Sequence, residues 1–390
     1  VEEIERELAR IWALPRLLAL VGEGEEGRVA VRTSVLNLVV MASRPEIAEH
    51  CSDAVARLSG RHPTRTIVFV PADPDGPPWL DATLTVWCQL PQGGGPESCV
   101  ETIHVRAGGE TGRHPLAVVA PLLVHDLPIV VWWPGDVPFG TPPADEILGI
   151  ADRLIVDGSS WSGDGLDRLA ALAALARQGS TAIWDFALAR QARWREAIAA
   201  VFDLPDLLPF LHHLRRVAVA YATHDPTGGP GSTNVVRPIY HVAWLGSRLG
   251  WRVEEPLAVA TGPVQRRRGG RSGEGLSILH HGLTARLSAD DGEIAVVVRP
   301  LASPLPAGST LRLELLARRR GSELRVEVTG ETEAVRCRAW LDGVEGLDRL
   351  FFSPRRTELQ LLAEGLETMG RDPIARAAIS FAGQLIGSVP

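Results

Sequence analysis

The chain has 390 residues, more than a single hydrophobic core usually holds, so two domains are expected. Its hydrophobic content of 45% and charged content of 22% suit an ordinary folded protein, and a net charge of -7 gives no bulk attraction to nucleic acid or an anionic membrane. All 40 basic residues are arginine, which excludes Schiff-base lysines, lysine general bases and P-loop lysines together.

Ile4, Leu8, Ile11 and Trp12 share one helical face, so residues 2–20 read as an amphipathic helix. Its acidic start is unlike a signal peptide, and the most apolar run, Leu116 to Val124, is about half a bilayer span, so the cytoplasm is the expected location. Residues 28–42 read as a strand, 45–60 as a helix with Pro45 in its first turn, and Ile67 to Val70 as a buried strand. Strands at 80–90 and 99–107 flank a turn-rich stretch, Pro91 to Pro96. A helix at 115–125 and strands at 129–133 and 154–156 follow, then helices at 164–178 and 184–202.

A strand at 217–221 and a helix at 234–249 come next, and from Leu276 to Leu341 short strand-like runs alternate with turns. Helices at 355–369 and 373–387 end the pattern. The expected architecture is an α/β domain with a mixed sheet over residues 1–180, followed by an α+β domain with an antiparallel sheet over 181–390.

Few residues are spaced for chemistry. The four cysteines form no C-x-x-C pair, and a chain of this length needs no disulfide staple. His212-His213 and His280-His281 place adjacent rings on different faces, so neither is a ready chelate, and no metal or cofactor is assigned. No G-x-S-x-G elbow occurs, and Ser159-Ser160 suit turn and cap roles better than nucleophilic ones, so no catalytic residue is assigned. Gly228-Gly229-Pro230-Gly231-Ser232-Thr233 admits two readings: a phosphate cradle at a helix start, or a loop in which Ser232 or Thr233 caps that helix. The Gly/Arg-rich residues 262–275 read as a loop whose like charges repel. Eleven tryptophans among so many arginines have the make-up of interface hot spots, although for any single indole core packing is the favoured role.

Several segments in order resemble one family. Arg32-Thr33-Ser34-Val35-Leu36-Asn37, Arg61-His62-Pro63-Thr64-Arg65-Thr66, Asp126-Leu127-Pro128 with Trp132-Trp133-Pro134-Gly135, and Asp152-Arg153-Leu154-Ile155-Val156-Asp157-Gly158-Ser159 are similar to the glucose-6-phosphate dehydrogenase assembly protein (OpcA) family, over roughly residues 30–200. A later stretch with Asp185, Arg190, Trp194 and Arg195 also resembles it, with Ala187 and Leu188 where Asn and Trp would be expected. The resemblance implies a protein without chemistry of its own that binds glucose-6-phosphate dehydrogenase and favours its active oligomeric form. On that reading Arg61, His62, Arg65, Trp132, Trp133, Arg190 and Trp194 are the partner-binding candidates, with intramolecular ion pairs as the competing role for the arginines. A different class of function, a sugar-phosphate- or nucleotide-binding enzyme or sensor using the 228–233 loop, remains open from sequence.

Overall fold

The computed structural model describes residues 2–13, 31–32, 34–89, 98–225, 231–263, 279–368 and 370–387. The chain forms two compact units, one of Val1–Val156, Ser180–Trp184 and Thr357–Gly370, the other of Asp157–Gly179, Asp185–Arg356 and Arg371–Pro390.

In the first unit strands alternate with helices: β1 (Val31–Arg32), β2 (Leu36–Met41), β3 (Thr64–Pro71), β4 (Trp79–Gln89), β5 (Ser98–Gly108), β6 (Ile129–Trp133), β7 (Arg153–Val156) and β8 (Ala182–Asp185). The sheet runs β1-β5-β3-β2-β6-β7-β8, with β4 antiparallel beside β5 and the pairs from β1–β5 to β6–β7 parallel. Parallel strands need a crossover, and the Pro45–Leu58 helix supplies it between β2 and β3, with proline tolerated in its first turn. β2 is buried along its whole length and β3 up to Val70, the signature of strands covered on both faces.

The motif residues hold this unit together. Asn37, fully buried in β2, donates through Nδ2 to the carbonyls of Val124 (2.9 Å) and Leu127 (3.3 Å). Its Oδ1 accepts from the Val124 N–H at 2.8 Å, so one amide closes the turn in which Asp126 takes φ 64°. Asp152 accepts the Ile129 N–H at 2.8 Å, and Arg153 donates to the carbonyls of Gly365 (2.7 Å) and Gly370 (2.6 Å) around the end of the Glu358–Glu367 helix. A guanidinium suits the negative end of a helix.

The second unit is built on β9 (Leu214–Thr223), β10 (Arg252–Pro263), β11 (Leu279–Ala289), β12 (Gly292–Ala302), β13 (Thr310–Arg319), β14 (Ser322–Gly330), β15 (Ala334–Leu341) and β16 (Val344–Phe352). Their order is β10-β11-β12-β9-β13-β14-β15-β16, antiparallel throughout except for the parallel β12–β9 pair. Burial alternates along β12 to β15, so one face is apolar and packed while the other carries charge. Helices Ala192–Phe202 and Val236–Leu249 lie on the packed face. Pro373–Ile386 packs on Val236–Leu249, where Gly246 leaves room for the Phe381 ring. The expected succession of an α/β domain with a mixed sheet and an α+β domain with a largely antiparallel one is borne out.

Several sequence expectations are corrected. The stretch 184–202 is not one helix: Trp184 and Asp185 end β8, Phe186–Ala189 makes a single turn capped by Asp185, and a helix runs only over Ala192–Phe202. The antiparallel sheet begins well before Leu276, with β9 and β10, and extends past Leu341 into β16. Neither Ser232 nor Thr233 caps the Val236–Leu249 helix; Asn234 Oδ1 accepts from the Val236 N–H at 3.1 Å instead. Cys99 is disulfide-bonded, contrary to the expectation of no such bond, and Cys88 is its register partner in β4. Residues 226–230, most of 262–275 and the 91–96 turn lie outside the described residues.

Candidate functional site

Five of the seven partner-binding candidates, His62, Arg65, Trp132, Trp133 and Trp194, are buried. Arg65, only 4% exposed, sits at the start of β3, where its Nε donates to Glu101 at 2.5 Å and its Nη1 to Glu5 (3.1 Å) and the Leu122 carbonyl (2.7 Å). Trp132 and Trp133 are buried in β6 and Trp194 in the Ala192–Phe202 helix. His62 is buried beside Glu367 at 3.5 Å, and burial lowers its pKa. Of the seven, Arg61 is exposed, ion-paired with Glu367, and Arg190 is half-buried on Asp157. The competing role considered for the arginines, pairing within the chain, is what the structure gives, with Glu101, Glu5 and Glu367 as partners of the two in the first unit.

Arg190 belongs to a polar network inside the second unit. Asp157 accepts Arg190 Nη1 on both oxygens at 2.8 Å and also takes the N–H (3.1 Å) and hydroxyl (2.6 Å) of Ser159, a cap of the turn 158–160. Asp185 is buried at 3% exposure and accepts from the N–H groups of Gly158 (2.9 Å) and Ala187 (2.7 Å) and from the Tyr240 hydroxyl (2.6 Å). Burial pushes its carboxyl up to about 6, with the charge of Asp157 adding, although those three hydrogen bonds pull the other way. His241, one turn along from Arg237, shares a hydrogen bond with Thr310 at 3.1 Å and lies against Trp194, ring centroids 5.1 Å apart. Burial, with Arg237 and Arg195 nearby, pushes it down to about 3, so the imidazole is neutral at physiological pH.

The outer face of β14 to β16 has a different character. The nearly buried Glu327 faces three guanidiniums: Arg338, with which it forms a close ion pair, Arg325 at 3.5 Å and Arg312 at 3.7 Å. Trp340 lies beneath two of them, with Arg325 at 5.3 Å and Arg338 at 5.2 Å from its ring. Arg336 grips Asp348 through two bonds of 2.8 and 2.6 Å. Register places Leu350 opposite Arg336, and Leu350 and Phe352 are 61% and 67% exposed on the edge strand. An edge strand bearing exposed apolar side chains on the same sheet face as a tryptophan–arginine stack has the make-up of a protein-binding surface.

Two family models match the chain, one described as the glucose-6-phosphate dehydrogenase subunit N-terminal domain, over residues 38–177, and one as the C-terminal domain of that subunit, over residues 181–379. The chain belongs to this family. The resemblance read from the ordered motifs is therefore borne out. Among curated proteins, a Synechocystis sp. protein described as "Putative OxPP cycle protein OpcA" is 25% identical over 195 residues, 50% of this chain and 38% of that protein. A protein of the same description from Synechococcus elongatus is 25% identical over 159 residues, 40% of this chain and 32% of its own length. The matched stretches thus span about a third of these relatives.

Solved structures similar to this chain include the transcriptional regulator Gal80p from Kluyveromyces lactis, with TM-score 0.47 and 11% identity over 92% of this chain and 89% of that one. A dehydrogenase (MviM) from Clostridium difficile has TM-score 0.40 and 9% identity over 90% and 97% of the two chains. Likeness at this level carries no statement about activity.

Membership of the glucose-6-phosphate dehydrogenase subunit family gives the motifs a physical role. In the first-unit motifs, Asn37, Arg65, Asp152 and Arg153 hold buried turns and strand ends, so these segments mark the fold. Sequence reasoning missed the outer-face residues Arg325, Glu327, Arg338, Leu350 and Phe352; Trp340 was noticed only as one indole among several. The alternation of β15, Val335-Arg336-Cys337-Arg338-Ala339-Trp340, carries the signal that could have found that face. Among the described residues no group of three metal-ligating side chains occurs, and no helix is long and apolar enough to cross a membrane.

Proposed function

We propose that this chain is a non-catalytic subunit that binds glucose-6-phosphate dehydrogenase through the outer face of β14 to β16 and favours the active oligomeric form of that enzyme. The observation that carries the reading is the Trp340 ring with Arg325 and Arg338 over it, on the same sheet face as Leu350 and Phe352, exposed further along the edge strand, in the part of the chain matched by the C-terminal family model. Tryptophan and arginine anchors inside an otherwise near-neutral contact are where binding energy concentrates. The face extends over several strands, and a stable complex buries on the order of 1,600 Å² in total.

Activation by a protein without chemistry requires differential affinity. A subunit that prefers the active form of its partner by about 100-fold biases the equilibrium by about 2.7 kcal/mol. The test is co-elution with the cognate dehydrogenase, together with that enzyme's rate against substrate concentration with and without the chain at equal molarity. Trp340→Glu is expected to abolish co-elution and activation while the fold stays intact. Undiminished co-elution would remove this face from the proposal; turnover of a sugar phosphate by the chain alone would remove the non-catalytic reading.

A further inference from the structure

Beyond the outer sheet face, the polar network of the second unit holds an imbalance that its own residues do not resolve. Arg190 and Arg355 both bring like charge to Arg237, and Asp157 is the acid that opposes them there. Asp157 is already engaged by Arg190 through both oxygens and by Ser159. Asp185 is committed to Tyr240 and the N–H groups of Gly158 and Ala187. Arg237 stands in the first turn of the 14-residue Val236–Leu249 helix, where the helix field is itself positive.

Its side chain is poorly satisfied. Among the described residues, Nε is buried without a hydrogen-bond partner, and Nη1 reaches the Ser309 hydroxyl at 3.5 Å. Gln191, whose Nε2 donates to the Arg237 carbonyl at 2.5 Å, leaves its buried Oε1 without a partner, as does His241 with Nδ1 one helical turn further on. Buried polar atoms are almost always paired, and a buried cation needs a counter-charge. Burial, reinforced by Arg190 and Arg355, pulls the Arg237 guanidinium down to about 10.

We propose that Arg190, Arg237 and Arg355, with the hydroxyls of Ser159 and Ser309, form a binding site for a phosphate monoester. Three guanidiniums against the carboxylates of Asp157 and Asp185 leave one positive charge in excess at neutral pH, so the cluster calls for an anion. Guanidinium forks match phosphate oxygens two at a time, which a spherical halide cannot exploit. Arg190 and Arg237 are half-buried and Arg355 is exposed, so the cluster reaches the surface of the second unit. This site goes beyond the partner reading and does not depend on it, because binding is a property of the isolated chain.

The test is calorimetric titration of the full chain with inorganic phosphate, with glucose 6-phosphate and, as an uncharged control, with glucose, in about 0.15 M sodium chloride so that loose surface attraction is screened. Saturable binding of both phosphates with Kd on the order of 1 mM or tighter is expected, with no heat from glucose. Arg237→Met is expected to weaken phosphate binding at least about tenfold with an unchanged melting temperature. Arg355→Met, at an exposed position, keeps the test decisive should Arg237→Met misfold, and is expected to weaken binding in the same direction. Absence of saturable heat from either phosphate, or full affinity in a folded Arg355→Met and Arg237→Met, overturns the site. Neither result touches co-elution with the dehydrogenase, so the two proposals fail separately.

Discussion

Two arginines, one in each unit, show how differently the same side chain is used. Arg65 in the first unit has acids for neighbours: Glu101, at 1% exposure, takes its Nε, and Glu5 and the Leu122 carbonyl take its Nη1. Arg237 in the second unit has cations for neighbours, an orphaned Nε and one long contact to a hydroxyl. A completed arginine is part of the fold, whereas an incomplete one points to something that arrives later. The contrast can be broken with one substitution in each unit. Arg65→Met strands the buried carboxylate of Glu101 and is expected to lower unfolding free energy by about 3–5 kcal/mol. Arg237→Met removes an uncompensated cation and is expected to leave stability within about 1 kcal/mol of the parent, or to raise it. Urea unfolding of both variants checks this, and equal losses would erase the distinction.

The same contrast divides the tryptophans. Trp133 is 7% exposed in a central strand of the first sheet, and Trp133→Ala is expected to cost about 3–5 kcal/mol, read as a large fall in melting temperature. The burial of Trp133 places its ring in the core of the first unit. The motif around it was legible because buried strands write continuous apolar runs. What could not be read was which way its polar residues faced. Arg61 and Arg65 lie four positions apart, yet one is exposed and the other is sealed against an acid 36 residues away. Nothing local distinguishes them. The polar network was illegible for a similar reason: Asp157, Asp185, Arg237, Thr310 and Arg355 converge from almost 200 residues of chain. β10 escaped notice because Pro256 and register shifts between Val253 and Glu255 and between Glu255 and Ala258 interrupt its alternation.

The network of the second unit also contains two opposed titrations. Asp185 is raised to about 6 in the folded chain from 3.8, so its contribution is present below about pH 4 and lost as pH rises through 6. His241 is lowered to about 3 from 6.5, so its contribution is present above 6.5 and lost as pH falls towards 3. Between pH 4 and 6 the two slopes have opposite sign and offset each other in the parent. Asp185→Asn removes one of them. Relative to the parent, this variant is expected to lose roughly 2 kcal/mol as pH falls from 6 to 4. His241→Gln should show the reverse trend. Denaturant titrations at pH 4, 5 and 6 measure both, and parallel pH profiles for parent and Asp185→Asn would mean that Asp185 does not titrate in this range.

The smallest expected effect on stability is at Trp340, and that smallness is what gives it meaning. Its stack with Arg325 and Arg338 is half-exposed, and a cation–π contact in that setting contributes about 0.5–1 kcal/mol. Trp340→Ala leaves Glu327 with its arginines and the packed face of the sheet untouched, since Val335, Cys337 and Ala339 point the other way. The melting temperature should therefore move by no more than a few degrees. At an interface the same truncation typically costs 2 kcal/mol or more of binding, about thirtyfold in Kd. A large loss of dehydrogenase binding with almost unchanged melting would place the indole's role outside the fold. The opposite pairing, unstable but still binding, would make Trp340 a second Trp133 and return the outer face to the scaffold.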